Sequence, residues 1–198
     1  MNGNRILSFT ANSSCFLTTG FRLLGAFLML TTCAQLAAAH ELYGYIEGEA
    51  GFFPRSPLYS EQRENAVSAA IEPEYYHDWD NGASLVFVPF GRIDSADGKR
   101  THVDIRELNL LWVRDSYEVT LGLGKVFWGV TEFVHLVDII NQTDAVEGIK
   151  GEEKLGQPMA RLSIPTESGN LSLFLLPGFR ERTYPGEAGR FRTPMVVD

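Results

Sequence analysis

Cysteine is nearly absent from this sequence, and its two copies, Cys15 and Cys33, both lie near the amino terminus. Residues 40–198 therefore contain no thiol, which excludes a disulfide-stapled fold, a cysteine-ligated metal and a cysteine nucleophile in that part. Basic residues are also in the minority. The formal net charge is −8, the wrong sign for neutralising phosphates, so we expect no nucleic-acid partner.

Motifs for catalysis and metal binding are missing as well. The four histidines have no ligand spacing such as HxH or HExxH, and the sequence contains no GxSxG elbow, phosphate loop or dinucleotide fingerprint. We therefore predict no metal, no cofactor and no enzymatic activity. Glu72 and Glu74 would lie on one face of a strand about 7 Å apart, so acid–base hydrolysis by this pair stays open as an alternative.

Residues 1–39 have the pattern of an export signal. Arg5 and Arg22 supply positive charge without any acid, residues 23–30 are apolar, and residues 37–39 are alanines that fit a cleavage site. The apolar run is short for a membrane-spanning helix of about 20 residues, although an uncleaved anchor is the alternative. We predict a signal peptide over residues 1–39 and one β-domain over residues 40–198.

Alternation with a period of two is the main signal in residues 40–198. Tight turns are predicted at Asn81-Gly82, at residues 114–116 and at residues 166–170, the last leading into a strand over 171–182. We predict an all-β chain of about seven strands, each roughly 8–13 residues long, which suits tilted transmembrane strands. Residues 128–144 break the alternation, and their apolar spacing predicts one short loop helix.

Two architectures use long amphipathic strands: a soluble β-sandwich and an antiparallel transmembrane β-barrel. Three observations favour the barrel. Ionisable side chains form rows on the polar faces, glycines recur inside the strands, and aromatic residues lie near the strand ends. Because bacterial barrels have an even number of strands, we expect these strands to be an amino-terminal portion of a larger barrel; a complete eight-stranded barrel is the alternative.

The centre of the sequence resembles porin-like outer-membrane proteins of Gram-negative bacteria. Those proteins combine a strand pair ending in Gly-Lys or Gly-Arg with Trp-Gly-x-x-Glu and then Asp-x-x-Asn near a loop helix. The corresponding segments here are 124–125, 128–132 and 138–141, and residues 173–186 are similar to the following strand and loop. The resemblance implies a β-barrel fold and the cell outer membrane more than it implies a substrate.

The leading hypothesis is a porin-like channel for passive passage of small hydrophilic solutes or ions, in contact with membrane lipid. The alternatives are an exported soluble β-sandwich that binds a ligand and an outer-membrane barrel hydrolase. The predicted pore-lining residues are polar members of the strands: Glu47, Glu49, Glu72, Glu74, Asp78, Arg106 and Glu118. The predicted loop or constriction residues are Lys125, Trp128, Gly129, Glu132, Asp138, Asn141 and Asp144.

Two questions about this pore stay open from the sequence. The loop either folds inward and narrows the passage or lies outside as a cap. The acids of the first two strands favour cations, while Arg106, Arg161, Arg180 and Arg182 would lie on another part of the wall. We predict modest cation selectivity, with ion pairing between these acids and arginines as the alternative.

Overall fold

A computed structural model of the protein describes residues 40–127, 139–148 and 152–197. The predicted signal peptide lies outside these residues, and so does most of the predicted loop helix. The same holds for four of the predicted loop or constriction residues, Trp128, Gly129, Glu132 and Asp138.

The described chain forms one antiparallel sheet of seven strands in sequential order. The strands are β1 (His40–Phe52), β2 (Asn65–Trp79), β3 (Ala83–Asp94), β4 (His102–Arg114), β5 (Tyr117–Gly124), β6 (Gln157–Thr166) and β7 (Gly169–Leu175). The 3-10 turn Gly98–Arg100 is the only helix in the described residues. The all-β prediction and the strand number are confirmed, but β1 and β7 do not pair with each other, so the described sheet is not closed into a barrel.

The two ends of the sheet differ in their connections. Residues 80–82, 115–116 and 167–168 join strands at one end, which we call the short-turn end. The predicted Asn81-Gly82 turn is confirmed there, with Gly82 at φ +76° and its amide bonded to the carbonyl of Trp79. Residues 53–64, 95–101 and 125–156 connect strands at the opposite, long-loop end.

One face of the sheet is apolar from β1 to β7. Cross-strand pairs such as Ile46 with Ile71, Leu110 with Leu121 and Leu162 with Leu173 follow one another across it. This face is exposed: Ile46 retains 77% and Val103 87% of its accessible surface. Trp79, Trp112 and Tyr117 lie on the same face near the short-turn end.

The other face is polar, and it carries most of the buried side chains of the sheet. Ser68, Arg92, Arg106 and Ser163 are all buried on it. The β3–β4 register shifts between Val88 and Pro89, where Val88 pairs with Glu107 and Pro89 with Ile105. Arg106 is the extra residue of this bulge, which brings Arg106 and Glu107 to the same face, as bulges do.

The predicted strand over residues 171–182 is too long. Strand β7 ends at Leu175, because Pro177 cannot donate a ladder hydrogen bond and Gly178 favours irregular backbone. Residues 176–197, which we call the strap, instead turn back across the long-loop end. Arg180 and Arg182 therefore belong to the strap and not to a wall strand, which corrects the prediction for these two arginines.

Candidate functional site

A buried ionic network occupies the long-loop half of the polar face. Within the network, Arg92 of β3 pairs with two acids of β1. Its Nη2 lies 3.1 Å from Glu47 Oε2 and its Nη1 lies 3.4 Å from Glu49 Oε2. Arg100, from the 3-10 turn, lies 2.7 Å from the same Glu49 oxygen and 3.0 Å from Asp94 Oδ2. Glu47 and Glu49, the two predicted pore-lining acids of β1, are therefore paired with arginines, although not with the four arginines that the pairing alternative named.

A segment after β5 lies against this network. It consists of residues 139–148 and 152–156, and we call it the inner segment. Its Asp144 is fully buried, with 0% of its surface exposed. Arg106, itself 1% exposed, donates from Nη1 to Asp144 Oδ2 over 2.5 Å, and Thr183 of the strap donates to the other Asp144 oxygen. One carboxylate thus joins strand β4, the inner segment and the strap.

A second carboxylate of the inner segment repeats this arrangement. Glu147 Oε2 accepts a 2.7 Å hydrogen bond from Arg92 Nε, and Glu147 Oε1 lies 3.7 Å from His102 Nε2. Arg106 also packs over the ring of Phe90, with its guanidinium carbon 4.1 Å from the ring centroid. These contacts hold two buried arginines between wall carboxylates and inner-segment carboxylates.

Asn141 fixes the start of the inner segment. Its amide nitrogen donates to the carbonyls of Gly124 and Leu155, each over 2.8 Å, and its oxygen accepts from the amide of Val126. The segment is further paired with itself through Leu155 N to Gln142 O and Asp144 N to Glu153 O. The prediction placed Asn141 and Asp144 near the passage, and both lie on the polar side of the sheet.

The strap packs against the same region and contacts both the strands and the long loops. Gln157 of β6 exchanges two hydrogen bonds with the backbone of Arg180, whose Nη2 lies 2.6 Å from Asp104 Oδ1. Farther along, the amide of Gly186 donates to Asp97, and Gln62 Nε2 donates to the carbonyl of Gly189. A cavity of about 370 Å³ remains between the sheet, the inner segment and the strap.

The two inner carboxyl groups have opposite pKa shifts. Burial alone would raise the pKa of Asp144, but hydrogen bonds from Thr183 and Arg106 outweigh burial and lower that pKa below its ordinary value. For Glu147, burial raises the pKa, and the nearby Arg92, Arg100 and His102 offset this only in part. Asp144 is therefore the carboxylate that the network stabilises in its charged form.

The remaining predicted wall residues lie outside the network. Glu72 is at its margin, with Oε2 3.8 Å from Arg106 Nε. Glu74, Asp78 and Glu118 are exposed on the polar face toward the short-turn end. Lys125 follows directly after β5 and is half-buried.

Sequence reasoning missed several members of the network, chiefly Arg92, Arg100, Glu147 and Thr183. Arg92 and Asp94 flank the apolar Ile93 at the end of β3, and this alternation is a signal that could have placed Arg92 on the polar face. No periodic signal marks Glu147 or Thr183, because both lie in irregular segments.

Comparison of the chain with protein-family models, with curated proteins and with solved structures finds no match. Within residues 40–127, 139–148 and 152–197, no group of three or more histidine, cysteine, aspartate or glutamate side chains could hold a metal ion. No helix in that part of the chain is long and apolar enough to cross a membrane.

Proposed function

We propose that the sheet is part of the wall of a porin-like outer-membrane channel that passes small hydrophilic solutes or ions without chemistry. One observation carries this proposal: the apolar face is largely exposed while the polar face holds most of the buried residues of the sheet. A water-soluble sheet buries its apolar face. The reverse arrangement fits a sheet that has lipid on its apolar side and a polar interior on the other.

The apolar face is also unlike the inner face of a β-sandwich. Within the described residues a single sheet is present, and no second sheet covers its apolar face. Val103, Leu173 and Leu175 each remain more than half exposed. In water such a large apolar area would cause association, whereas lipid would cover it. The sandwich alternative therefore has less support than the barrel.

The connections and the aromatic residues support the same orientation. Outer-membrane barrels have short turns at one end and long loops at the other, with aromatic girdles at the two interfaces. Here the short-turn end carries Trp79, Trp112 and Tyr117 on the apolar face, and Phe52 lies on that face at the long-loop end. Leucine, isoleucine, valine, proline and small residues make up most of the band between them, with Tyr75, His77 and Phe87 on the same face.

The inner segment is the proposed constriction. Its Asp144 and Glu147 reach arginines of the wall, so it lies inside the polar face and narrows the space along β3 and β4. Asp144→Asn combined with Glu147→Gln should loosen the segment and raise single-channel conductance. Glu118→Gln, on the same face but outside the network, is the control and should leave conductance unchanged.

The experiment that tests the channel begins with the full chain produced in a Gram-negative host. We expect the protein in the outer-membrane fraction, extracted only by detergent, and stepwise currents when it is added to a planar lipid bilayer. Leu121→Arg, which places a charge on the proposed lipid face, should reduce the amount of inserted protein and, with it, the current. Recovery of the protein from the soluble periplasmic fraction without detergent would overturn the proposal.

A further inference from the structure

The short-turn half of the polar face is built differently from the ion-paired half. On β1 and β2 it carries alternating tyrosines and carboxylates, and the strand register places each tyrosine directly opposite an acid. The pairs are Glu41 with Tyr76, Tyr43 with Glu74, and Tyr45 with Glu72. We call these six residues the tyrosine–carboxylate ladder.

Two of the three tyrosines of the ladder are exposed, and Tyr76 is half-buried. Tyr43 is 62% and Tyr45 46% exposed. The hydroxyl of Tyr43 donates to Glu41 Oε2 over 3.1 Å, and that of Tyr76 donates to Asp78 Oδ2 over the same distance. These bonds orient the phenol groups along the strands, so that ring faces and carboxylates border the same space.

Glu72 of the ladder lies 3.8 Å from Arg106, but the other two carboxylates of the ladder carry negative charge that the wall does not neutralise. Glu41 and Glu74 have no lysine or arginine within ion-pair distance in the described part of the chain, and Asp78 beside them has none either. Glu47 and Glu49, farther along the same face of β1, are paired with Arg92 and Arg100. The change from paired to unpaired acids occurs within one strand.

We propose that the ladder binds small organic cations, such as amines and quaternary ammonium groups, and selects them for passage. The proposal rests on the channel function and names its solute class. Aromatic faces attract cations through the ring quadrupole, and aromatic surroundings are a known way to recognise quaternary ammonium. Carboxylates add attraction for positive charge in a water-filled passage. A neutral solute gains only the apolar contact with the rings.

Choline and its uncharged isostere 3,3-dimethylbutanol are probes matched in shape and different in charge. Saturation-transfer NMR on the full chain in detergent micelles should give a choline signal at least threefold stronger than that of the isostere. Equal signals would mean apolar contact without charge recognition and would overturn the proposal.

Variants of the ladder locate the binding. Tyr43→Leu with Tyr45→Leu, and separately Glu74→Gln, should each reduce the choline signal at least threefold. Tyr43→Phe with Tyr45→Phe retains the rings and should retain binding. Glu167→Gln changes an exposed acid in the turn between β6 and β7, away from the ladder and the ionic network, and is the matched control. Glu74 is exposed, so its substitution leaves the fold intact, and an unchanged choline signal in Glu74→Gln contradicts the proposal.

Bilayer currents separate the ladder from the channel function. In a choline chloride gradient, the choline-to-chloride permeability ratio should fall at least threefold in Glu74→Gln and stay unchanged in Glu167→Gln. If the protein binds choline but carries no current, the proposed channel function is wrong and cation binding by the ladder is retained. If the protein conducts but Glu74→Gln leaves the permeability ratio unchanged, selection by the ladder is wrong and the channel function is retained.

Discussion

The apolar face of the sheet is largely exposed, whereas the long-loop half of the polar face carries the buried Arg92, Arg106 and the carboxylates packed on them. On the apolar face, stability in our proposal comes from the surrounding lipid. On the polar face it comes from pairing, because a buried charge without a partner is costly. The comparison teaches that adding a charge should destabilise the apolar face, whereas removing a charge should destabilise the ion-paired half of the polar face.

The largest effect is expected on the polar face, at Arg106. Arg106→Met leaves Asp144 buried without its arginine, and breaking a buried pair from one side costs about 3–5 kcal/mol of unfolding free energy. Denaturant unfolding of the folded protein in detergent measures this change. Combining Arg106→Met with Asp144→Leu removes both charges and should recover part of the loss.

Arg161 is the control for this prediction. It lies on the polar face of β6, half-buried over the ring of Phe174, and has no ion pair with an acid within the described residues. Arg161→Met should cost about 1 kcal/mol or less, the size of a cation–π contact. Equal losses at Arg106 and Arg161 would mean that the network does not hold the polar face together.

The next effect is on the apolar face. Leu121→Arg places a cation in the middle of the proposed lipid band, at a cost of about 2–4 kcal/mol in a bilayer. Glu118→Arg changes the same strand on the exposed polar face and should stay within about 0.5 kcal/mol of the unsubstituted protein. Unfolding in lipid vesicles measures both, and a similar cost at the two positions would break the contrast between the faces.

A smaller effect distinguishes two glycines on the two faces. Gly122 has φ +139°, and a Cβ there would lie within 1.8 Å of the Leu108 carbonyl oxygen, whereas a Cβ at Gly48 would meet nothing within 4 Å. Gly122→Ala should therefore cost about 1–3 kcal/mol, the range of local backbone strain. Gly48→Ala is the control and should be close to neutral in the same unfolding measurement.

The smallest effect is the pH dependence of Asp144. Because its pKa is lowered in the folded state, it contributes stability that is complete above the ordinary aspartate value and is lost as pH falls below about 4. The raised pKa of Glu147 acts in the opposite direction, so the test is the difference between the unsubstituted protein and Asp144→Asn. Between pH 6 and pH 2.5, the melting temperature should fall less steeply in Asp144→Asn than in the unsubstituted protein. Identical slopes would contradict the lowered pKa of Asp144.

Much of the sheet could be predicted, because alternation of apolar and polar residues indicates a strand and also shows which residues share each of its faces. The two faces of β5, with Leu121 on one side and Glu118 on the other, follow directly from the sequence. Tight-turn residues such as Asn81-Gly82 then set the neighbouring strands in register. These signals are local, so they survive without any knowledge of the tertiary structure.

The ionic network could be predicted only in part. Periodicity would place Arg106 and Glu107 on opposite faces, and it is the bulge that brings both to the polar side. The pairs of Asp144 with Arg106 and of Glu147 with Arg92 join irregular segments to strands far away in sequence. Such contacts depend on how a loop packs, which residue patterns do not encode.

The central claim is that the apolar face contacts lipid, and a scan of β5 tests it most directly. With Cys15 and Cys33 replaced by serine, single cysteines at positions 117–121 and 123 can each carry a nitroxide label in vesicle-bound protein. We predict that oxygen accessibility peaks at 117, 119, 121 and 123, and that accessibility to a water-soluble nickel complex peaks at 118 and 120. High nickel accessibility at 119 and 121 would contradict the account, because that face would then lie in water.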